Sequence, residues 1–122
     1  LEEMRHYVAG LLQELDLPFR TVLLCGCDMS FASSMTYDME VYAAAQQRWL
    51  EVSSVSNFQT FQAIRLNCRI KDDDKINYVH TLNGSALALP RIVAAILENN
   101  QTPAGIVIPK VLVPYTGFEL IN

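Results

Sequence analysis

Apolar and polar positions change period several times along the chain, and each change marks an element. Met4, Val8, Leu11, Leu12 and Leu15 recur at three- and four-residue steps, predicting an amphipathic helix over about residues 2 to 15 with Glu2, Glu3, Arg5 and Glu14 wet. Asp16 and Pro18 end it. Phe19 to Cys25 is nearly continuous apolar sequence and predicts a strand covered on both sides. From Thr36 to Tyr42 the period becomes two, with Tyr37, Met39 and Val41 opposite Asp38, Glu40 and Tyr42. Asp38 and Glu40 therefore either line a site or face solvent. Arg48 to Asn57 predicts another strand, whose Ser53, Ser54, Ser56 and Asn57 are too polar for a core and suit a surface presenting hydroxyls and the Glu51 carboxylate to a polar ligand or Mg²⁺.

Phe58, Phe61 and Ile64 predict a short helical turn, and Leu66 to Ile70 a strand. Lys71 to Lys75 reads as a hairpin loop; its acidic triplet Asp72, Asp73 and Asp74 allows a bound cation, but the composition favours a solvated loop. Tyr78 to Leu82 alternates again, and Asn83, Gly84 and Ser85 form a polar turn. Ile92, Val93, Ile96 and Leu97 then mark a buried helical stripe that leaves Arg91, Glu98 and Asn99 for water or a ligand. Pro90 lacks an N–H and belongs in a first turn, so this helix should begin around Ala88 to Pro90 with Arg91 in that turn. A cation there opposes the helix dipole unless an anion rests beside it; local sequence favours a solvated arginine and allows a phosphate ligand. The segment from Gly105 to Asn122, broken by Pro109, Pro114 and Gly117, predicts an irregular tail packed onto the domain. Short links imply antiparallel neighbours, so the fold class is α+β: a mostly antiparallel sheet flanked by helices.

The length of 122 residues and 51% hydrophobic content suffice for one domain with a core. A net charge of −4 argues against a basic nucleic-acid surface on this segment. Cys25, Cys27 and Cys68 lie in apolar surroundings and read as reduced, buried thiols of a cytoplasmic protein; a one-residue spacer and no second Cys/His pair disfavour a structural metal. No apolar run of about 20 residues is present.

Several stretches in order resemble the C-terminal part of the catalytic domain of seryl-tRNA synthetases, within the class II aminoacyl-tRNA synthetases. These are Leu24 to Val41, Glu51 to Asn57, Phe61 to Ala63, His80 to Ser85 continuing through Arg91 to Asn99, and Ile108 to Tyr115. The resemblance implies a class II synthetase fold for residues 1–122 and a ligase that joins L-serine to ATP, then passes the seryl group to tRNA(Ser). It assigns Glu51, Val52, Ser53 and Ser54 to ATP, with Glu51 and Ser54 as Mg²⁺ ligands. Ser85, with Asn83 nearby, is assigned to serine, and Arg91 to the ATP phosphates as the arginine of the third class II motif. It further implies a homodimer in the cytoplasm, with tRNA held mainly elsewhere. The first and second class II motifs and the tRNA-binding arm are expected before Leu1, so this segment alone is expected to form no adenylate. The alternatives are a paralogue activating a small amino acid for another carrier and a non-catalytic interaction module.

The chain departs from the family pattern at Ala86 and Pro90, where glycines are common, and at Ile64 of Ile64-Arg65, where paired arginines are common. A geometric condition also follows. In a regular strand Glu51 and Ser54 point to opposite faces, so both reach one metal only if the strand bulges or twists between them.

Overall fold

The computed structural model describes residues 1–73 and 75–122. Helix α1 (Glu2–Glu14) buries Val8 and Leu12 and places Glu2 and Glu3 in its first turn, where they complement the helix dipole. Leu11 is 44% exposed, so the buried stripe is narrower than its apolar residues suggest. Strands β1 (Phe19–Leu23), β2 (Met35–Ala43) and β3 (Arg48–Gln59) follow as an antiparallel meander. Helix α2 (Phe61–Leu66), the hairpin β4 (Arg69–Asp72) and β5 (Lys75–Tyr78), strand β6 (Thr81–Gly84) and helix α3 (Leu89–Asn99) come next. Strands β7 (Gln101–Thr102) and β8 (Gly105–Val107), a 3-10 turn at Lys110–Leu112, helix α4 (Val113–Thr116) and strand β9 (Leu120–Ile121) complete the chain.

The principal sheet has the order β1-β2-β3-β6, antiparallel throughout. Helices α1 and α3 cover one face, and the core joins Val8, Leu12, Met39, Val41, Val52, Val55, Ile92 and Ile96 across that seam. The α+β class with an antiparallel sheet is as expected.

Several local expectations are corrected. β1 lies at a sheet edge and is not covered on both sides; Leu23 is 57% exposed, because an apolar run does not say what packs on its outer face. The three cysteines are exposed, not buried. Ser53 is only 1% exposed and belongs to the core face, although the serine-rich run predicts a wet strand. Phe58 lies in β3, which persists to Gln59 before α2 begins, and Leu66 ends that helix instead of starting a strand. The extended stretch through Tyr78 breaks at Val79 and His80, while Asn83 and Gly84 belong to β6 and not to a turn. Val93 is 53% exposed, outside the buried stripe of α3. The tail is more regular than expected: β7, β8 and β9 form a small antiparallel sheet. Asp72 pairs with Lys75 across the acidic hairpin, and Asp74 lies outside the described residues.

Candidate functional site

The register between β2 and β3 shifts at one point. Ser53 lies opposite Met39 and Glu51 opposite Glu40, so Val52 is an extra residue in β3. A bulge of this kind turns two successive side chains to the same side. Val52 and Ser53 are both buried toward the core. The consequence falls on their neighbours. Glu51 pairs with Glu40 and Ser54 with Asp38, on the sheet face away from Met39, so the bulge places Glu51 and Ser54 together. Ser56, opposite Thr36, and Asn83, opposite Ser56, extend the same polar face. Thr36 and Ser56 share a hydroxyl hydrogen bond of 2.8 Å.

The segment after β6 is fastened to the bulge by backbone contacts. The Ser85 N–H donates to the Ser54 carbonyl at 3.1 Å, and the Ala88 N–H to the Val52 carbonyl at 2.7 Å. The Ser53 hydroxyl donates to the Ser85 carbonyl. Gly84 is required at this crossing: a Cβ there would meet Met4 Cε at 2.6 Å and Val55 Cγ1 at 2.9 Å. Ala88 caps α3 and Pro90 falls in its first turn, leaving Arg91 in that turn as the sequence predicts. The Arg91 guanidinium donates through Nη1 to the Glu51 carbonyl at 2.5 Å. Arg91, Glu51, Ser54, Ser85 and Asn83 therefore lie in line along β3, from the Arg91 contact at Glu51, through the Ser85 contact at Ser54, to Asn83 opposite Ser56. The side chains of Val52 and Ser53 turn to the core instead, so only their backbone can serve a ligand there.

Among the described residues Arg91 uses one of its five N–H donors, and no acidic residue accompanies it in the first turn of α3. Asp38 contributes what the sequence left open: its Oδ1 is buried and, among the described residues, has no hydrogen-bond partner. Glu40 is instead paired with Arg20, Nε to Oε2 at 2.5 Å, and the Arg20 guanidinium also stacks over Trp49. The other end of α3 differs from expectation. Glu98 accepts from the Ala45 N–H at 3.0 Å, the Gln46 N–H at 3.4 Å and the Gln46 side-chain amide at 2.8 Å. The Gln46 amide is the main cause that holds its carboxyl below the ordinary value. Asn99 donates to the carbonyls of Tyr42 and Ala95, both at 2.8 Å. The turn between β2 and β3 thus occupies the Glu98 carboxylate, and β2 and α3 itself take the Asn99 amide N–H groups, contacts that local sequence does not reveal.

For Mg²⁺ the donors are one carboxylate and one hydroxyl on a shared face. Among the described residues no three potential ligands of the His, Cys, Asp and Glu type converge at Glu51. Mg²⁺ commonly takes one or two protein oxygens and completes its shell from water and substrate phosphates, so Glu51 and Ser54 fit an ion shared with a nucleotide and not a closed cage. Arg65, next to the departing Ile64, donates to the Phe61 carbonyl at 2.9 Å and stacks on the Phe61 ring. Ile64 itself is half exposed.

An antiparallel sheet with one helix-covered face, a bulged polar strand and an arginine at the start of the closing helix matches a known class. A family model described as tRNA synthetase class II core domain (G, H, P, S and T) matches residues 1–100. The chain belongs to that class II synthetase core-domain family. Within the class, the similarity is to seryl-tRNA synthetases. The chain is 58% identical to the serine-tRNA ligase of Salinibacter ruber and 49% identical to that of Finegoldia magna, with 100% of this chain aligned in both. A solved seryl-tRNA synthetase from Pyrococcus horikoshii, complexed with ATP, superposes with a TM-score of 0.91 at 42% identity over 99% of this chain and 28% of that one. The cytoplasmic enzyme of Naegleria fowleri, in complex with AMP, gives 0.89 at 29% identity, over 99% of this chain and 29% of that one. The chain spans 29% of the length of the Salinibacter relative and 30% of the Finegoldia one. Among the described residues, no helix is long and apolar enough to cross a membrane.

Proposed function

We propose that residues 1–122 are the C-terminal portion of the catalytic domain of a serine-tRNA ligase, and that the polar face beside α3 holds ATP and serine. The observation that carries this reading is the Val52 bulge, which sets Glu51 and Ser54 on one face while Arg91 is tied to the Glu51 carbonyl. Arg91 directs its remaining donors at the ATP phosphates. The N-terminal end of α3 adds its partial positive charge. Backbone groups of Val52 and Ser53 hold the nucleotide between them, and Glu51 and Ser54 hold Mg²⁺. That ion, when bound, neutralises phosphate charge.

Ser85 and Asn83, beside Ser54 and Ser56, bind the serine end. Polar groups matched to a substrate hydroxyl reject alanine, which would leave them unpaired. The serine carboxylate attacks the α-phosphorus of ATP, a P–O bond to pyrophosphate breaks, and the seryl-adenylate results. The chain contributes no nucleophile: it positions the reactants and offsets the charge that develops. The seryl group then passes to tRNA(Ser), held mainly by regions outside this chain, in a cytoplasmic homodimer.

The test is serine-dependent ATP–pyrophosphate exchange by the full-length protein, with serine, threonine and alanine compared and tRNA charging assayed in parallel. Exchange with serine well above both analogues, followed by tRNA charging, is the expected result. Activation without transfer to tRNA would point instead to a ligase for another carrier. No exchange at all would leave only the interaction-module reading. The isolated 122 residues are expected to give no exchange above background.

A further inference from the structure

The turn that follows β1 holds a cluster that the adenylate-forming site does not use. Cys25 Sγ lies 3.0 Å from Cys27 Sγ and 3.2 Å from the Asp28 Oδ2 carboxylate oxygen. One ligand atom from each of the three residues falls within 4.8 Å of the other two. All three residues are exposed. The Asp28 N–H closes the turn onto the Cys25 carbonyl at 3.0 Å, which brings the three residues together. A Cβ placed on Gly26, between the two cysteines, would meet nothing within 4 Å, so the turn has room to adjust. Among the described residues no cation pairs with Asp28.

We propose that Cys25, Cys27 and Asp28 form a surface binding site for one thiophilic divalent cation of the zinc and cadmium type. Two thiolates select soft or borderline ions over Mg²⁺, which prefers oxygen alone. The site is therefore chemically orthogonal to Glu51 and Ser54. It is also set apart from Glu51: Leu24 hydrogen-bonds to Thr36, which lies four residues along β2, roughly 13 Å, from Glu40, the partner of Glu51, and two residues, roughly 7 Å, from Asp38, the partner of Ser54.

The geometry needs only a small adjustment. Zinc–thiolate bonds of about 2.3 Å in a tetrahedron separate the sulfurs by about 3.8 Å, so rotation of two exposed side chains opens the pair by less than about 1 Å. Binding releases two thiol protons to solvent and forms two metal–sulfur bonds; the Asp28 carboxylate is the third ligand and water the fourth. Metal and protons therefore compete, and affinity rises with pH. The Cys-Gly-Cys spacing alone argues against a metal; Asp28 and the convergent turn are what alter that reading. Occupied, the site would pin the connection between β1 and β2.

Titration of the full-length protein with Cd²⁺ alone, under a phosphine reductant, tests this through thiolate-to-cadmium charge-transfer absorption. Loss of one outer-shell partner costs metal sites roughly 10–100-fold. Cys27→Ser or Cys25→Ser, each removing a ligand, is therefore expected to weaken binding by at least about 100-fold. Asp28→Asn should weaken it by about 10-fold, while Cys68→Ser leaves it unchanged. Circular dichroism reports whether each variant is folded, and the Asp28→Asn arm stands if a cysteine variant is not. Undiminished absorption in Cys27→Ser, or its loss in Cys68→Ser, overturns the proposal. So does affinity that fails to rise with pH.

Discussion

The two ends of α3 show how the same kind of residue serves different purposes. Each end carries a charge that the helix dipole disfavours, Arg91 in the first turn and Glu98 in the last. At the C-terminal end the charge is answered inside the chain: two backbone N–H groups and the Gln46 amide converge on Glu98, and Asn99 ties the same turn to β2. At the N-terminal end, among the described residues, Arg91 has one hydrogen-bond partner, a carbonyl, and the Oδ1 of Asp38, opposite Ser54 on the polar face, has none. Filled valences hold the fold together. Directed donors and acceptors left open at a sheet face are where a ligand of opposite character belongs.

The largest expected effect separates the two ends directly. Arg91→Ala in the full-length protein should lower serine-dependent pyrophosphate exchange by about 100- to 1,000-fold, the usual cost of deleting a donor to developing charge, with an unchanged circular dichroism spectrum. A comparable loss in Glu98→Ala would erase the distinction. Gly84→Ala should act on stability instead: the new methyl collides with Met4 and the buried Val55, so unfolding by denaturant should shift by about 1–3 kcal/mol. Ser53→Ala removes the hydroxyl that fastens Ser85 to β3, and a loss of about 1 kcal/mol is expected in the same measurement. If the Ser85 position also binds serine, the KM for serine should rise with it.

The smallest effect concerns Glu98 and depends on pH. Its folded pKa lies below the ordinary 4.5, chiefly through the Gln46 amide, so its contribution is present above the unfolded pKa and disappears as pH falls through the lowered folded value. Wild type should therefore melt slightly above Glu98→Ala at neutral pH, and the gap should close in acid. A gap that widened on acidification would contradict the assignment.

Much of this architecture is legible in residue order, because periodicity and proline placement are local. The α3 start follows from Pro90 alone, and the alternation in β2 by itself separates Asp38 and Glu40 from Met39 and Val41. What escapes is set by partners distant in sequence. The apolar β1 cannot announce that it is an edge, and Ser53 is buried because the Ser85 carbonyl, 32 residues away, receives its hydroxyl. Glu98 and Asn99 read as free in the helical pattern because their partners, the turn between β2 and β3 for Glu98 and Tyr42 of β2 for Asn99, lie more than a strand away along the chain. The bulge stands between these cases. The pairing of Glu51 with Ser54 demands one, but only the register shows that Val52 supplies it.

The central claim is that the N-terminal end of α3, set against the bulged strand, is where nucleotide phosphates bind, and calorimetric titration of the full-length protein with Mg·ATP tests it most directly. Arg91→Ala should weaken ATP by about 10- to 100-fold, the worth of charge-assisted hydrogen bonds, while Glu98→Ala leaves affinity unchanged. Equal affinity in wild type and Arg91→Ala would contradict the account.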